Sequence, residues 1–151
     1  MVIASGPCRP IIFLSLQSAV EGEGASATCV CFIDERRTVM TEEEMQACMT
    51  LCKQCADACE NCAVACEKEA NPMLTTCIEL DMDCADFCRL TASFIARRSE
   101  FMELVCQDCA EICTTCAEEC EQHLFDHCLM CAQMCRRCAE ACLKVGASAL
   151  A

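Results

Sequence analysis

Six cysteines follow one another from residue 48 to residue 66 at steps of 4, 3, 4, 3 and 4: Cys48, Cys52, Cys55, Cys59, Cys62 and Cys66. On an α-helix these steps put every side chain on one stripe. The stripe is the heptad seam that ordinarily holds Leu and Ile, and here each seam position is a thiol. Two later runs repeat the pattern with no missing member: Cys106, Cys109, Cys113, Cys116 and Cys120, then Cys128, Cys131, Cys135, Cys138 and Cys142. A thinner version, Cys77, Cys84 and Cys88, lies between the first run and these. Four such helices closed on one another would enclose a tube lined with sulfur. The predicted fold is therefore all-α: an antiparallel up-down-up-down four-helix bundle with a Cys-lined core, preceded by an irregular N-terminal extension.

The chain lacks the material for a hydrocarbon core. Over residues 41–145 it has 19 Cys against 18 Leu, Ile, Val and Phe combined, where a domain of this size needs far more of the second group. Thiols must stand in, packing as small soft hydrophobes when they hold no ligand. A formal net charge of −13, with no basic tract, argues against nucleic acid or an anionic membrane surface as a partner. Nothing approaches 18 consecutive apolar residues, so no transmembrane helix is expected.

Punctuation divides the bundle into four helices. Thr41-Glu42-Glu43-Glu44 is a capping box with an acidic first turn, which starts helix 1 and carries it to about Ala70. Asn71-Pro72 opens helix 2, predicted over 72–96. Arg97 and Arg98 complement its end, and Ser99 is the expected cap of helix 3, which runs to about Gln122. Asp126 is the expected cap of helix 4, and Gly146 its stop. Connections of a few residues make consecutive helices antiparallel. Alanines flank the seams, where small side chains let helices approach.

Residues 1–40 read differently. They carry Gly, Ser and Pro without helical period, and Cys8, Cys29 and Cys31 fall off any pattern. They are expected to form an irregular extension, with the bundle over 41–145 and a tail over 146–151. A secretory signal needs a basic leader and a longer apolar core than Ile11–Leu16, and Arg36-Arg37 precedes no hydrophobic segment. Export is the weaker alternative to a cytoplasmic location. Met40, directly before the helix cap, is an alternative start.

Several chemistries could use stacked cysteines. Residues i and i+4 of a helix have Cβ atoms ~5–6 Å apart, whereas a disulfide wants about 3.8 Å, so continuous seams are a poor disulfide framework. Iron–sulfur clusters need compact loops of the C-x2-C-x2-C kind, and a di-iron site needs Glu-x-x-His pairs; neither pattern occurs. A redox carrier or enzyme would need one privileged low-pKa C-x-x-C at a helix start, but here C-x-x-C recurs along the seam. Soft metal bound by thiolates remains, with Cu(I) and Zn(II) as candidates. Tetrahedral zinc on four thiolates carries about −2 and would bury many negative charges. Cu(I) takes two or three sulfurs, and bridging thiolates let metal and sulfur approach one-to-one, which is neutral. The expected ligand set is the 19 seam cysteines, with multiple Cu(I) ions at very roughly one per core thiol. A zinc or cadmium buffer is the alternative.

These seams, with Thr76-Cys77-Ile78, Asp83-Cys84-Ala85-Asp86-Phe87-Cys88 and Cys135-Arg136-Arg137-Cys138-Ala139-Glu140-Ala141-Cys142, resemble the bacterial four-helix-bundle Cys-rich copper storage proteins. The resemblance covers residue 41 to about 145. It implies storage of many Cu(I) ions inside each bundle, a homotetramer, no catalytic turnover and, given the poor signal, the cytosolic branch.

Antiparallel packing would gather Cys66, Met73, Cys77, Cys120, His123, His127 and Cys128 at one end. Met45, Phe94, Ile95, Phe101, Met102 and Val145 would meet at the other as an apolar plug. Copper is expected to enter at the histidine end, which the resemblance supports; the bland alternative makes His123 and His127 polar loop residues. Met73 is a candidate lip ligand. Asp81 falls where helix 2 could have carried another thiol, but Leu80 could equally face inward, so Asp81 stays outside the predicted site.

Overall fold

In a computed structural model, residues 40–147 are described, and they form four α-helices. The expected extension before residue 40 lies outside the described residues. Helix α1 spans Glu42–Glu69, α2 Thr75–Ala96, α3 Met102–Cys120 and α4 Asp126–Gly146. Packing runs around a ring, α1 on α2, α2 on α3, α3 on α4 and α4 back on α1. This is the closed up-down-up-down bundle predicted from the seams.

The start of α1 is the capping box. The Thr41 amide donates to Glu44 Oε2 at 2.9 Å, and the Glu44 amide donates to Thr41 Oγ1 at 3.2 Å. Its end is left-handed at Ala70, with φ of 50°. Asn71 then caps a single 3-10 turn, Pro72–Leu74, by accepting from the Met73 amide at 3.1 Å. Regular α2 follows three residues later than proline alone suggested.

Two expected caps do other work. Arg98 is left-handed with φ of 50°; its amide donates to Ile95 O at 3.0 Å, and the Ser99 amide donates to Phe94 O at 3.1 Å. This pair of bonds is a Schellman motif closing α2. Ser99 is thereby committed to the end of one helix and cannot start the next. Its hydroxyl accepts only from the Phe101 amide at 3.3 Å, and α3 begins at Met102 with Phe101 in the cap position. Likewise Phe125 is the extended N-cap of α4 and Asp126 the first helical residue, where its charge faces the helix dipole rather than a cap amide. Helix α3 ends at Cys120, two residues before the expected limit, in a turn closed by the Gln122 and His123 amides.

The core is sulfur and methyl. Buried alanines repeat at intervals of seven on every helix: Ala56 and Ala63, Ala85 and Ala92, Ala110 and Ala117, Ala132 and Ala139. They let the helices close around the thiols. At the end formed by the start of α1, Ile95 and Val145 are buried with Met45 and Met102 packed against them. Phe101, placed there by the sequence, is instead 54% exposed. Gly146 belongs to this end as well. A Cβ on it would lie 2.6 Å from Gln107 Cγ, and Gln107 Nε2 donates to Gly146 O at 2.8 Å. Its lack of a side chain permits α4 to press on α3; it does not break the helix. Ion pairs of Arg89 with Glu60, Arg98 with Glu42 and Arg136 with Glu121 dress the outside, each worth ~0–1 kcal/mol.

Candidate metal centre

All 19 seam cysteines are buried, and all are free thiols. Every helix turns its thiol stripe toward the axis, and the stripes interleave. Cys142 Sγ lies 3.7 Å from Cys48 and 3.6 Å from Cys52 near the apolar plug. Further along, Cys88 and Cys113 are 3.6 Å apart, Cys55 and Cys135 3.6 Å, and Cys59 and Cys135 3.5 Å. Such separations are van der Waals contacts between sulfurs, far from the ~2.05 Å of a disulfide.

Four-sulfur sets with all members within 4.8 Å of one another recur along the axis. They include Cys52, Cys109, Cys138 and Cys142; Cys55, Cys88, Cys113 and Cys138; Cys55, Cys59, Cys84 and Cys135; and Cys59, Cys116, Cys131 and Cys135. These four are chained together by shared members, Cys138, Cys55, Cys59 and Cys135. A fifth set at the histidine end, Cys62, Cys66, Cys77 and Cys128, shares no member with them. With metal–sulfur bonds of ~2.3 Å, sulfurs stand ~4.0 Å apart around a three-coordinate ion and ~4.6 Å apart across a linear one. The column could receive such ions with small side-chain rotations. Tetrahedral ions also fit by distance, so charge decides. Nineteen thiolates holding four or five separate zinc ions would bury a net charge of roughly −9 to −11, whereas monovalent ions at one per sulfur leave none.

Asp81 is the residue that sequence reasoning left out. It is fully buried on the α2 seam between Cys77 and Cys84, and Leu80 packs outward at the edge of the core. Thiols of Cys116 and Cys131 donate to its Oδ1 at 3.2 Å, and that of Cys120 at 3.5 Å. Cys77 donates to Oδ2 at 3.8 Å. Burial pushes the Asp81 carboxyl up to about 8, more than these bonds pull it down. The signal was the run 77, 81, 84, 88, which has the seam's own spacing.

The expected mouth is partly assembled. His127 Nε2 lies 3.4 Å from Cys66 Sγ, and its ring stacks on Phe125 at 5.3 Å. Cys66 is 3.7 Å from Cys128, and Cys77 is 3.7 Å from Cys120. Burial pushes the Cys66 thiol up to about 11 and raises Cys128 as well, which favours protonated thiols in the metal-free protein. His123 instead faces Glu119, with Nε2 3.3 Å from Oε1. Met73 is 75% exposed and stands off the sulfur column.

A closed bundle whose interior is a continuous array of free thiols defines a cysteine-cored metal-binding protein. Residues 41–147 match the family described as "Copper storage protein" (Csp), and the chain belongs to that family. It is similar to the Cu(I)-bound copper storage protein BsCsp3, 39% identical with a TM-score of 0.66, over 68% of this chain and 98% of that one. The apo form of Csp3 from Bacillus subtilis gives 40% identity and a TM-score of 0.65, over 67% of this chain and 97% of that one. A cytosolic copper storage protein from Streptomyces lividans, with five coppers, gives 40% identity and a TM-score of 0.64, over 70% and 93% of the two chains.

Proposed function

We propose that this chain stores Cu(I) in its thiol column, with no catalytic turnover, and that residues 41–145 are the storage unit. The ligands are the 19 buried cysteines, at about one ion per core thiol. The observation that carries the proposal is the chain of four-sulfur sets joined by shared members, because only bridging thiolates bring metal and sulfur toward equal numbers. Cu(I)-bound and cytosolic relatives support the ion and a cytoplasmic location. A tetramer of bundles is part of the same proposal, read out by light scattering. For a zinc or cadmium buffer, the buried charge is the obstacle. Anaerobic loading with Cu(I) beside excess zinc, followed by desalting and metal analysis, should leave copper alone on the protein; retained zinc in the core overturns the choice of metal.

Copper enters at the histidine end. His127 supports this by touching Cys66, and His123 stands at the same end of the bundle. Replacing both, His123→Ala with His127→Ala, slows uptake from a Cu(I) chelator. Uptake at the wild-type rate removes their role.

A further inference from the structure

Grooves on the bundle surface differ in what lies behind them. A groove of about 700 Å³ between α2 and α3 has Leu80, Phe87 and Ile112 in its walls and no thiol. A second, about 660 Å³, runs beside the first turns of α1 and also has none. A third, about 340 Å³, lies between α1 and α4 and reaches sulfur: its walls include Ala58, Asn61, Cys62, His127, Met130 and Cys131.

The donors in this cleft are graded from outside to inside. Met130 is 70% exposed and offers a thioether at the surface. His127 is partly buried, with its imidazole within reach of Cys66. Cys62 and Cys131 lie behind, each just 1% exposed. All are soft or intermediate ligands of the kind Cu(I) accepts.

Where the cleft opens matters more than its size. Cys62 belongs to the sulfur set at the histidine end, Cys131 belongs to the chained sets of the inner column, and the two thiols interact directly. At the same level Asp81 puts a carboxyl on the axis, beside Cys62 and within hydrogen-bond reach of Cys116, Cys120 and Cys131. An ion moving down the tube from the mouth reaches this level by way of Cys66, Cys77 and Cys128. The cleft reaches it from the side.

We propose that the α1–α4 cleft is a lateral portal, through which Cu(I) passes from Met130 and His127 to Cys62, Cys131 and the inner column without first crossing the mouth thiols Cys66, Cys77 and Cys128. The portal rests on the copper-storage function proposed above, and two measurements separate the two. In the first, the metal-free full chain is labelled with N-ethylmaleimide, and each cysteine is followed by mass spectrometry. Cys131 should be modified before Cys116 and Cys135, its neighbours in the same four-sulfur set. Ala58→Leu, which fills the cleft, should slow labelling of Cys131 several-fold and leave Cys66 at its wild-type rate. Equal rates for Cys131, Cys116 and Cys135, or no effect of the leucine, overturn the portal whatever metal the protein holds. In the second, Cu(I) supplied in acetonitrile is mixed rapidly with the protein. Ala58→Leu should slow filling several-fold with the final number of ions unchanged, whereas filling at the wild-type rate again overturns the portal. A wild-type chain that fails to fill contradicts storage instead. Should circular dichroism show that Ala58→Leu is unfolded, Asn61→Leu on the exposed rim provides the same block and is read by the same criteria.

Discussion

At the scale of single residues, Asp81 gives the metal-free protein a pH dependence of its own. Its carboxyl titrates near 8 in the folded chain against an ordinary 3.8, because burial outweighs the thiol donors around it. The folded state therefore holds a proton that the unfolded state gives up. Asp81's stabilising contribution is present in full below about pH 4 and is lost as pH rises through about 8. Thermal unfolding of the metal-free protein should show a lower midpoint at pH 7 than at pH 5, a range in which the unfolded chain's thiols stay protonated, and Asp81→Asn should shrink that difference. An undiminished difference in the variant assigns the pH response elsewhere. The thiol positions themselves were legible in the sequence, because nothing but a helical seam produces three unbroken runs of steps of 3 and 4 holding 16 of the 19 cysteines. Asp81 was not. Both Leu80 and Asp81 fit the stripe, and the spacing left either free to face inward, although the general rule is that apolar residues go inside. The rule fails here because four thiols supply the donors that make a buried carboxyl tolerable.

At the scale of helices, the ends carry the strain and the sequence signal is uneven. The start of α1 was readable, since both halves of its capping box are local and both bonds form. The starts of α3 and α4 were not, although Ser99 and Asp126 are cap residues by type. Ser99 is taken by the Schellman closure of α2, a fact of the chain's path and not of its composition. Ala70 illustrates the cost of such ends. It ends α1 in the left-handed region with φ of 50°, where a Cβ costs roughly 1–2 kcal/mol. Part of any relief is offset by the greater freedom of glycine in the unfolded chain. Ala70→Gly should accordingly stabilise the metal-free protein by about 0.5–1 kcal/mol, measured by urea unfolding. A loss of stability would show that the left-handed turn is relaxed by contacts around it.

At the scale of the whole bundle, the same packing serves two states. Without metal the thiols fill the tube as small apolar groups, mostly protonated, and buried alanines at seven-residue intervals hold the four backbones close. With metal each sulfur gives up a proton, so binding weakens in acid, and the column becomes neutral only if monovalent ions approach the sulfurs in number. That condition on charge is the centre of the proposed function. It is tested by anaerobic titration of the metal-free chain with Cu(I), with free thiols quantified in the same sample and a Cu(I) chelator reporting the end point. The expected plateau is close to one ion per core thiol, with its limit set by the 19 buried cysteines. A plateau near a quarter of that number would contradict it, because it would mean isolated four-thiolate sites in place of a shared column.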